Sequence, residues 1–197
     1  SDAGFMIPLW EMTPTIPLSV ADVFRPWLKW GKGLKKRYYL MACPAVTVII
    51  LDQLSKWAVV SRLRIHEGVP VLTGFFDLVH VRNRGMAFGL MNRPGIDFTF
   101  YFLVAASLGA VVLLLLWFLK LKDGDSRLTV GLSLILGGAV GNLIDRLRFR
   151  EVIDFLDFYL GQYHWPVFNL ADSAITVGTF LVALSLIFKR KEAPKMR

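Results

Sequence analysis

Hydrophobic residues occur in four long runs that are separated by shorter, more polar segments. The runs cover about residues 38–60, 98–119, 128–144 and 167–188. A helix needs roughly 20 mostly apolar residues to cross a bilayer, because the hydrocarbon core is about 30 Å thick and each helical residue rises 1.5 Å. The pattern therefore predicts an all-α membrane protein with four transmembrane helices.

The connection between the first two runs has the character of β-strands. Residues 69–81 are rich in β-branched and aromatic side chains and are interrupted by Thr73-Gly74, which is typical of an antiparallel hairpin. We therefore predict a small extracytoplasmic β-sheet element over about residues 63–88, between helices 1 and 2.

The spans and the hairpin together define one four-helix membrane domain over residues 34–190. Residues 191–197 are expected to form a short cytoplasmic tail. Residues 1–33 contain several prolines and begin with Ser-Asp rather than Met. We expect this segment to be an N-terminal extension or a cloning remnant that lies at the membrane interface.

Composition supports the membrane assignment and narrows the possible chemistry. The chain is 55% hydrophobic and only 19% charged, which is too apolar for an ordinary soluble domain. Its net charge of +8 is better explained by basic flanks of membrane spans than by nucleic-acid binding. A single cysteine, Cys43, and three scattered histidines offer no ligand pattern for a metal, so we expect neither a metal nor a cofactor.

The distribution of basic residues predicts the orientation. Most of the 23 lysines and arginines flank the two termini or the short turn between helices 2 and 3. Because basic residues favour the cytoplasmic side, we expect both termini in the cytoplasm. The arginines of the opposite connections then need another role, such as contact with lipid phosphates or substrate.

Two similar segments place polar side chains at the ends of spans. Asn142-x-x-Asp145-Arg146 closes the third run, and Asn169-x-x-Asp172 opens the fourth. Spacing of i,i+3 puts the amide and the carboxylate of each segment on one helix face. Ionisable groups in spans are costly unless they are paired or hydrated, so these residues predict a functional site at one membrane boundary.

Further carboxylates are expected at the same boundary. Asp154 lies on the short link between the two segments, and Asp52 approaches from helix 1. Asp157, on the same link, is expected to be a solvated loop acid. Two close carboxylates share a proton, so that one acts as a general base and the other as a general acid. This chemistry suits amide hydrolysis without a metal. Ser55 and Lys56 are adjacent and cannot face each other on a helix, which argues against a Ser-Lys nucleophile.

Five short motifs occur in order around the four predicted spans. They are Asp52-x-x-Ser55-Lys56, Asn83-Arg84-Gly85-Met86-Ala87-Phe88, Gly137-Gly138-Ala139-Val140-Gly141-Asn142-x-x-Asp145-Arg146, Val152-Ile153-Asp154-Phe155 and Phe168-Asn169-x-Ala171-Asp172-x-x-Ile175. In this order the chain resembles, over roughly residues 34–188, the lipoprotein signal peptidases (signal peptidase II), a family of bacterial aspartyl proteases of the inner membrane.

The resemblance implies roles for individual residues. The catalytic pair of the family falls on Asp154 and Asp172. The residues expected to bind substrate or shape the site are Asn83, Asn142, Asp145, Arg146 and Asn169. The residues expected to be structural near the site are Asp52, Lys56 and Gly141.

The resemblance also implies a reaction and its partners. The substrate would be a prolipoprotein whose cysteine already carries diacylglycerol, cleaved on the N-terminal side of that cysteine. Membrane lipids and a globomycin-type inhibitor are the other implied partners, and the protein would be a monomer. The active site would lie near the outer, periplasmic face of the inner membrane.

Two other classes of function remain open at this point. A small proton-coupled transporter or channel also uses intramembrane carboxylates, although here they gather at one boundary and helix 2 has no polar face. A non-catalytic assembly factor would keep its activity when Asp154 and Asp172 are changed to asparagine.

Overall fold

The computed structural model describes residues 20–85, 97–121 and 125–192 of the 197-residue chain. Residues 1–19 of the predicted extension, the Met86-Ala87-Phe88 part of the second motif, and residues 193–197 of the predicted tail lie outside these ranges.

Four helices dominate the described part of the chain. They are α1 Val20–Arg62, α2 Asp97–Lys120, α3 Ser126–Phe149 and α4 Leu170–Glu192. Each contains a stretch long and apolar enough to cross a membrane, which confirms the predicted four transmembrane helices.

Helix ends differ from the predicted ranges for identifiable reasons. Helix α1 begins at Val20, so residues 20–33 continue the helix of the first span. Helix α3 passes the polar residues at 145 and 146 and ends where Arg150 adopts a left-handed conformation with a φ of 61°. Helix α4 begins at Leu170, because the preceding residue, Asn169, caps it.

A small antiparallel sheet covers one end of the helices. Its strands, in spatial order, are β1 Gly68–Leu72, β2 Phe76–Asn83, β3 Val152–Leu160 and β4 Tyr163–His164. The predicted hairpin is β1 and β2, but the sheet is larger than expected because β3 and β4 come from the connection between α3 and α4. That connection, taken as a short link in the sequence, is a strand-forming run of β-branched and aromatic residues.

Helix α3 lies at the centre and packs against the other three helices. Small residues permit the close approach of α3 and α4: a methyl group on Gly138 would overlap the backbone oxygen of Ala171. A cluster of buried apolar residues fills one end of the bundle, formed by Met41, Phe118, Leu128, Leu132 and Val182. The polar motifs meet at the other end, under the sheet.

Candidate active site

Asp154 lies in β3 with only 3% of its surface exposed. Each of its carboxylate oxygens accepts a hydrogen bond from a side-chain amide: Oδ1 from Nδ2 of Asn169 at 2.7 Å and Oδ2 from Nδ2 of Asn83 at 3.0 Å. Antiparallel pairing of β2 with β3 brings Asn83 to this carboxylate, and the start of α4 supplies Asn169.

Asp172 lies in the first turn of α4 and takes part in its cap. Asn169 Oδ1 accepts a hydrogen bond from the backbone N–H of Asp172 at 2.9 Å, and Asp172 Oδ2 accepts one from the backbone N–H of Asn169 at 3.4 Å. This reciprocal arrangement is a capping box, which satisfies two amides at a helix start. Asp172 Oδ1 also accepts a hydrogen bond from Nδ2 of Asn142 at 2.8 Å.

Asn142, on α3, connects this carboxylate to a buried charge. Its Oδ1 accepts hydrogen bonds from Nζ of Lys56 at 3.0 Å and from Nδ2 of Asn169 at 3.2 Å. The amide therefore has contacts with α1 on one side and with α4 on the other.

Lys56 is held in a fully buried ionic cluster with two further carboxylates. Its Nζ lies 2.8 Å from Asp52 Oδ2 and 2.8 Å from Asp145 Oδ2. The remaining acceptor capacity is also used: the backbone N–H of Ala171 donates to Asp52, and that of Ile153 donates to Asp145. These hydrogen bonds to Asp52 and Asp145 are needed because a buried charge left without partners is strongly destabilising.

Gly141 makes room for this cluster. A Cβ atom at this position would lie 2.7 Å from Oδ2 of Asp52, which is closer than real Cβ contacts. Any larger residue would push Asp52 away from Lys56.

A cavity of about 950 Å³ opens between the sheet and the start of α4. Its polar lining includes Asn83, Asn142, Arg146, Asp154 and Asp172, and its apolar lining includes Trp165, Val167, Phe168, Ile175 and Val177. The two candidate catalytic carboxylates therefore line the same cavity, which has both polar and apolar walls.

The surroundings of Asp154 raise its pKa. Burial, followed by the negative charge of Asp172, raises the pKa of Asp154 from 3.8 to about 7, although the hydrogen bonds from Asn83 and Asn169 oppose the shift. Near neutral pH this carboxyl therefore retains a proton in a substantial fraction of molecules.

The structure brings all ten residues of the predicted site to one region, in two layers. Asn83, Asn142, Arg146, Asp154, Asn169 and Asp172 surround the cavity or its carboxylates, whereas Asp52, Lys56, Gly141 and Asp145 lie behind them. Arg146 turns away from its neighbour Asp145, towards Ser107 and the cavity. Within the described ranges no three His, Cys, Asp or Glu side chains are arranged to hold a metal ion.

Two features were not anticipated from the sequence. Gln53 belongs to the ionic cluster and donates to Asp145 Oδ1 at 2.9 Å and to Asp52 Oδ2 at 3.2 Å. The only sign of this role in the sequence is that Gln53 is a polar residue inside an apolar span. The interpretation of Asp157 as a solvated loop acid was wrong, because it lies in β3 with 8% of its surface exposed and contacts His164 at 3.0 Å.

Comparison with known proteins identifies the family. The family model described as "Signal peptidase (SPase) II" matches residues 44–188. A protein named lipoprotein signal peptidase from Syntrophus aciditrophicus (strain SB) is 43% identical over 159 residues, covering 81% of this chain and 99% of that protein. The protein of the same name from Oleidesulfovibrio alaskensis is 46% identical over 158 residues, covering 80% and 100%.

A solved structure agrees with these sequence relatives. It is described as a bacterial membrane enzyme determined by the in meso method at 2.3 Å resolution. It superposes with a TM-score of 0.71 at 29% identity, covering 80% of this chain and 93% of the other. The chain thus belongs to the signal peptidase II family.

Proposed function

We propose that this protein is an aspartic endopeptidase that removes signal peptides from prolipoproteins, with Asp154 and Asp172 as its catalytic pair. The observation that carries the proposal is that these two carboxylates line one cavity at the end of the spanning helices. Each is oriented by a side-chain amide. The names of the relatives supply the substrate class, signal peptides of lipoproteins.

In the proposed reaction the two carboxylates have different roles. Asp172, ionised, removes a proton from a water molecule, whose oxygen attacks the carbonyl carbon preceding the diacylglyceryl-modified cysteine. Asp154, which retains its proton near neutral pH, donates it to the departing amine nitrogen. The products are the carboxylate of the signal peptide and the free amino group of the cysteine, and proton exchange then restores the pair.

Neighbouring residues have proposed roles in holding the substrate. The guanidinium group of Arg146 lies at the cavity, with its described hydrogen bonds long at 3.4 and 3.5 Å, so it is suited to stabilise negative charge on the scissile carbonyl. The side chains of Phe168, Ile175 and Val177 offer an apolar wall for the acyl chains, which would arrive laterally from the bilayer.

The proposal includes a location and further partners. We place the protein as a multi-pass protein of the bacterial inner membrane, with both termini in the cytoplasm and the active site near the outer face. We expect it to act as a monomer and to bind globomycin in the cavity.

The transporter alternative fits the geometry less well. The described carboxylates of the site lie together under the sheet instead of at successive depths through the bundle, as a proton pathway across the membrane requires.

The decisive experiment uses purified protein in lipid or detergent. Wild-type protein, Asp154→Asn and Asp172→Asn are each given a diacylglyceryl-modified prolipoprotein and its unmodified form. We expect the wild type to cleave only the modified substrate before the cysteine, and each variant to lose at least about 10³-fold in kcat, since loss of either member removes acid or base catalysis.

Asp77→Asn is the matched control, because Asp77 is a carboxylate of the same sheet that contacts Tyr159. It should cleave at the wild-type rate. Persistent cleavage by either site variant would show that the pair is wrongly assigned and would direct attention to Asp145. Loss of cleavage on chelation of divalent metals would contradict a metal-free reaction.

A further inference from the structure

Lys56 is a buried charged residue that the reaction described above does not use. Only 1% of its surface is exposed, and it lies outside the residues that line the cavity. Yet its Nζ is one amide away from a candidate catalytic carboxylate, because it donates to Asn142 and Asn142 donates to Asp172.

The chemistry of these groups determines how the Asn142 amide is oriented. An ammonium group has three donors and no acceptor, so the atom of Asn142 that faces Lys56 must be Oδ1. The Nδ2 group of Asn142 must then face Asp172. Rotation of the amide by 180° would place two donors together and would turn an oxygen lone pair towards the carboxylate. Lys56 therefore excludes the wrong orientation.

The second amide of the site has a similarly determined orientation. Asn169 Oδ1 accepts the backbone N–H of Asp172, so its Nδ2 donates to Asp154 and to Asn142 Oδ1. The orientation of one amide supports that of the other, because Nδ2 of Asn169 donates to Asn142 Oδ1, the same oxygen that Lys56 contacts.

The charge on Lys56 is maintained by groups that take no part in the reaction. Asp52 and Asp145 each lie 2.8 Å from Nζ, and Gln53 bridges the two carboxylates. The cluster thus keeps a cation at a defined place behind the catalytic pair, out of contact with the substrate.

We propose that Lys56 is a positioning residue for catalysis: by fixing the orientation of the Asn142 amide, it directs the Nδ2 donor of that amide at Asp172, the proposed base. This inference rests on the proposed function. The charged groups around the pair come from four elements: Asp52 and Lys56 on α1, Asp145 and Arg146 on α3, Asp154 on β3, and Asp172 on α4.

The test compares Lys56→Met with Gln53→Met. Both substitutions remove a donor from the same two carboxylates, but only Lys56 contacts Asn142. A purely structural role predicts that both variants lose thermal stability and that the folded protein of both keeps the wild-type kcat. The positioning role predicts a change in kinetics for Lys56→Met alone.

We expect Lys56→Met to lower kcat at least about tenfold with KM, expressed as a mole fraction in micelles, unchanged, because an interaction that acts in the transition state is lost. Lys56→Arg, which keeps a cationic donor for Asn142, should recover most of kcat. Gln53→Met, which leaves the contact of Lys56 with Asn142 in place, should keep the wild-type kcat.

Lys56→Met leaves two buried carboxylates without a cation and could fail to fold. In that case Asp52→Asn/Lys56→Met, which removes one charge of each sign, is compared with Asp52→Asn alone. If the folded double variant has the same kcat as Asp52→Asn, the inference is overturned. If instead Asp154→Asn or Asp172→Asn still cleaves substrate, the proposed function itself fails, so the two failures are distinguishable.

Discussion

Asp154 and Asp172 have the same side chain but different surroundings. Asp154 is almost fully buried and accepts hydrogen bonds from two side-chain amides. Asp172 is partly exposed, lies in the first turn of α4 and accepts from a backbone N–H and from Asn142. Burial favours the neutral acid at Asp154. The two environments are consistent with the different roles proposed for the two carboxylates.

This separation predicts the dependence of cleavage on pH. Because the pKa of Asp154 is raised to about 7, the protonated form of this proposed general acid is lost as the pH rises past this value. We expect kcat/KM to fall above about pH 7, approaching a tenfold loss per pH unit. The same raised pKa means that this carboxyl stabilises the fold at low pH, and that its contribution is lost as the pH rises through about 7.

A substitution of Asn83 should shift the alkaline limb of the pH–rate profile, which is the fall in kcat/KM above about pH 7. Its hydrogen bond lowers the pKa of Asp154, so Asn83→Ala should move the limb to higher pH, whatever its effect on the maximal rate. The measurement is the pH–rate profile of cleavage, with Asp77→Asn as a control expected to retain the wild-type limb. A shift to lower pH in Asn83→Ala would contradict this assignment of the acid.

At the scale of elements, the four spans were predictable because hydropathy is a local property of the sequence. The sheet was only half predictable. Strand β3 carries Asp154, and its residues have strand-forming side chains, but its pairing with β2 joins residues that are 69 to 82 positions apart in the sequence. No local pattern reveals such a partner.

The site shows the same division between local and long-range information. The i,i+3 spacing of Asn169 and Asp172 lies within one helical turn, so their proximity could be predicted. The contact of Lys56 with Asn142 depends on how α1 packs against α3, and the role of Gln53 depends on the same packing. These contacts follow from tertiary structure, where spacing in the sequence carries no information.

Close packing of α1 against α3 predicts a large effect of a small substitution. In Gly141→Ala the added methyl group would lie 2.7 Å from Asp52 Oδ2 and would displace that carboxylate from Lys56. We expect a loss of about 1–3 kcal/mol in stability, as for other overpacked interiors, together with reduced cleavage. The measurement is thermal unfolding in detergent.

Gly109→Ala is the matched control in α2. A methyl group there meets no atom within 4 Å, and alanine favours a helix over glycine by roughly 0.5–1 kcal/mol. The control should therefore be neutral or slightly stabilising. Equal destabilisation by both substitutions would mean that the contact with Asp52 does not determine the effect.

At the scale of the whole molecule, orientation in the membrane can be tested by labelling. With Cys43 replaced by serine, we expect Gln162→Cys, in the exposed turn between β3 and β4, to react in cells with a maleimide that cannot cross the inner membrane. Lys195→Cys, near the C-terminus, should react only after that membrane is opened. The reverse result would place the sheet and the proposed active site in the cytoplasm.

The candidate site takes its residues from both halves of the chain. Lys56 and Asn83 precede α2, whereas Asn142, Asp154 and Asp172 follow it. During synthesis, a chain that ends before Leu170 lacks the proposed base and also the Asn169–Asp172 cap. If Asp172 is the base, as proposed, proteolytic activity arises only when the last span has been inserted, so an incompletely translated chain is expected to leave the lipoproteins around it uncut.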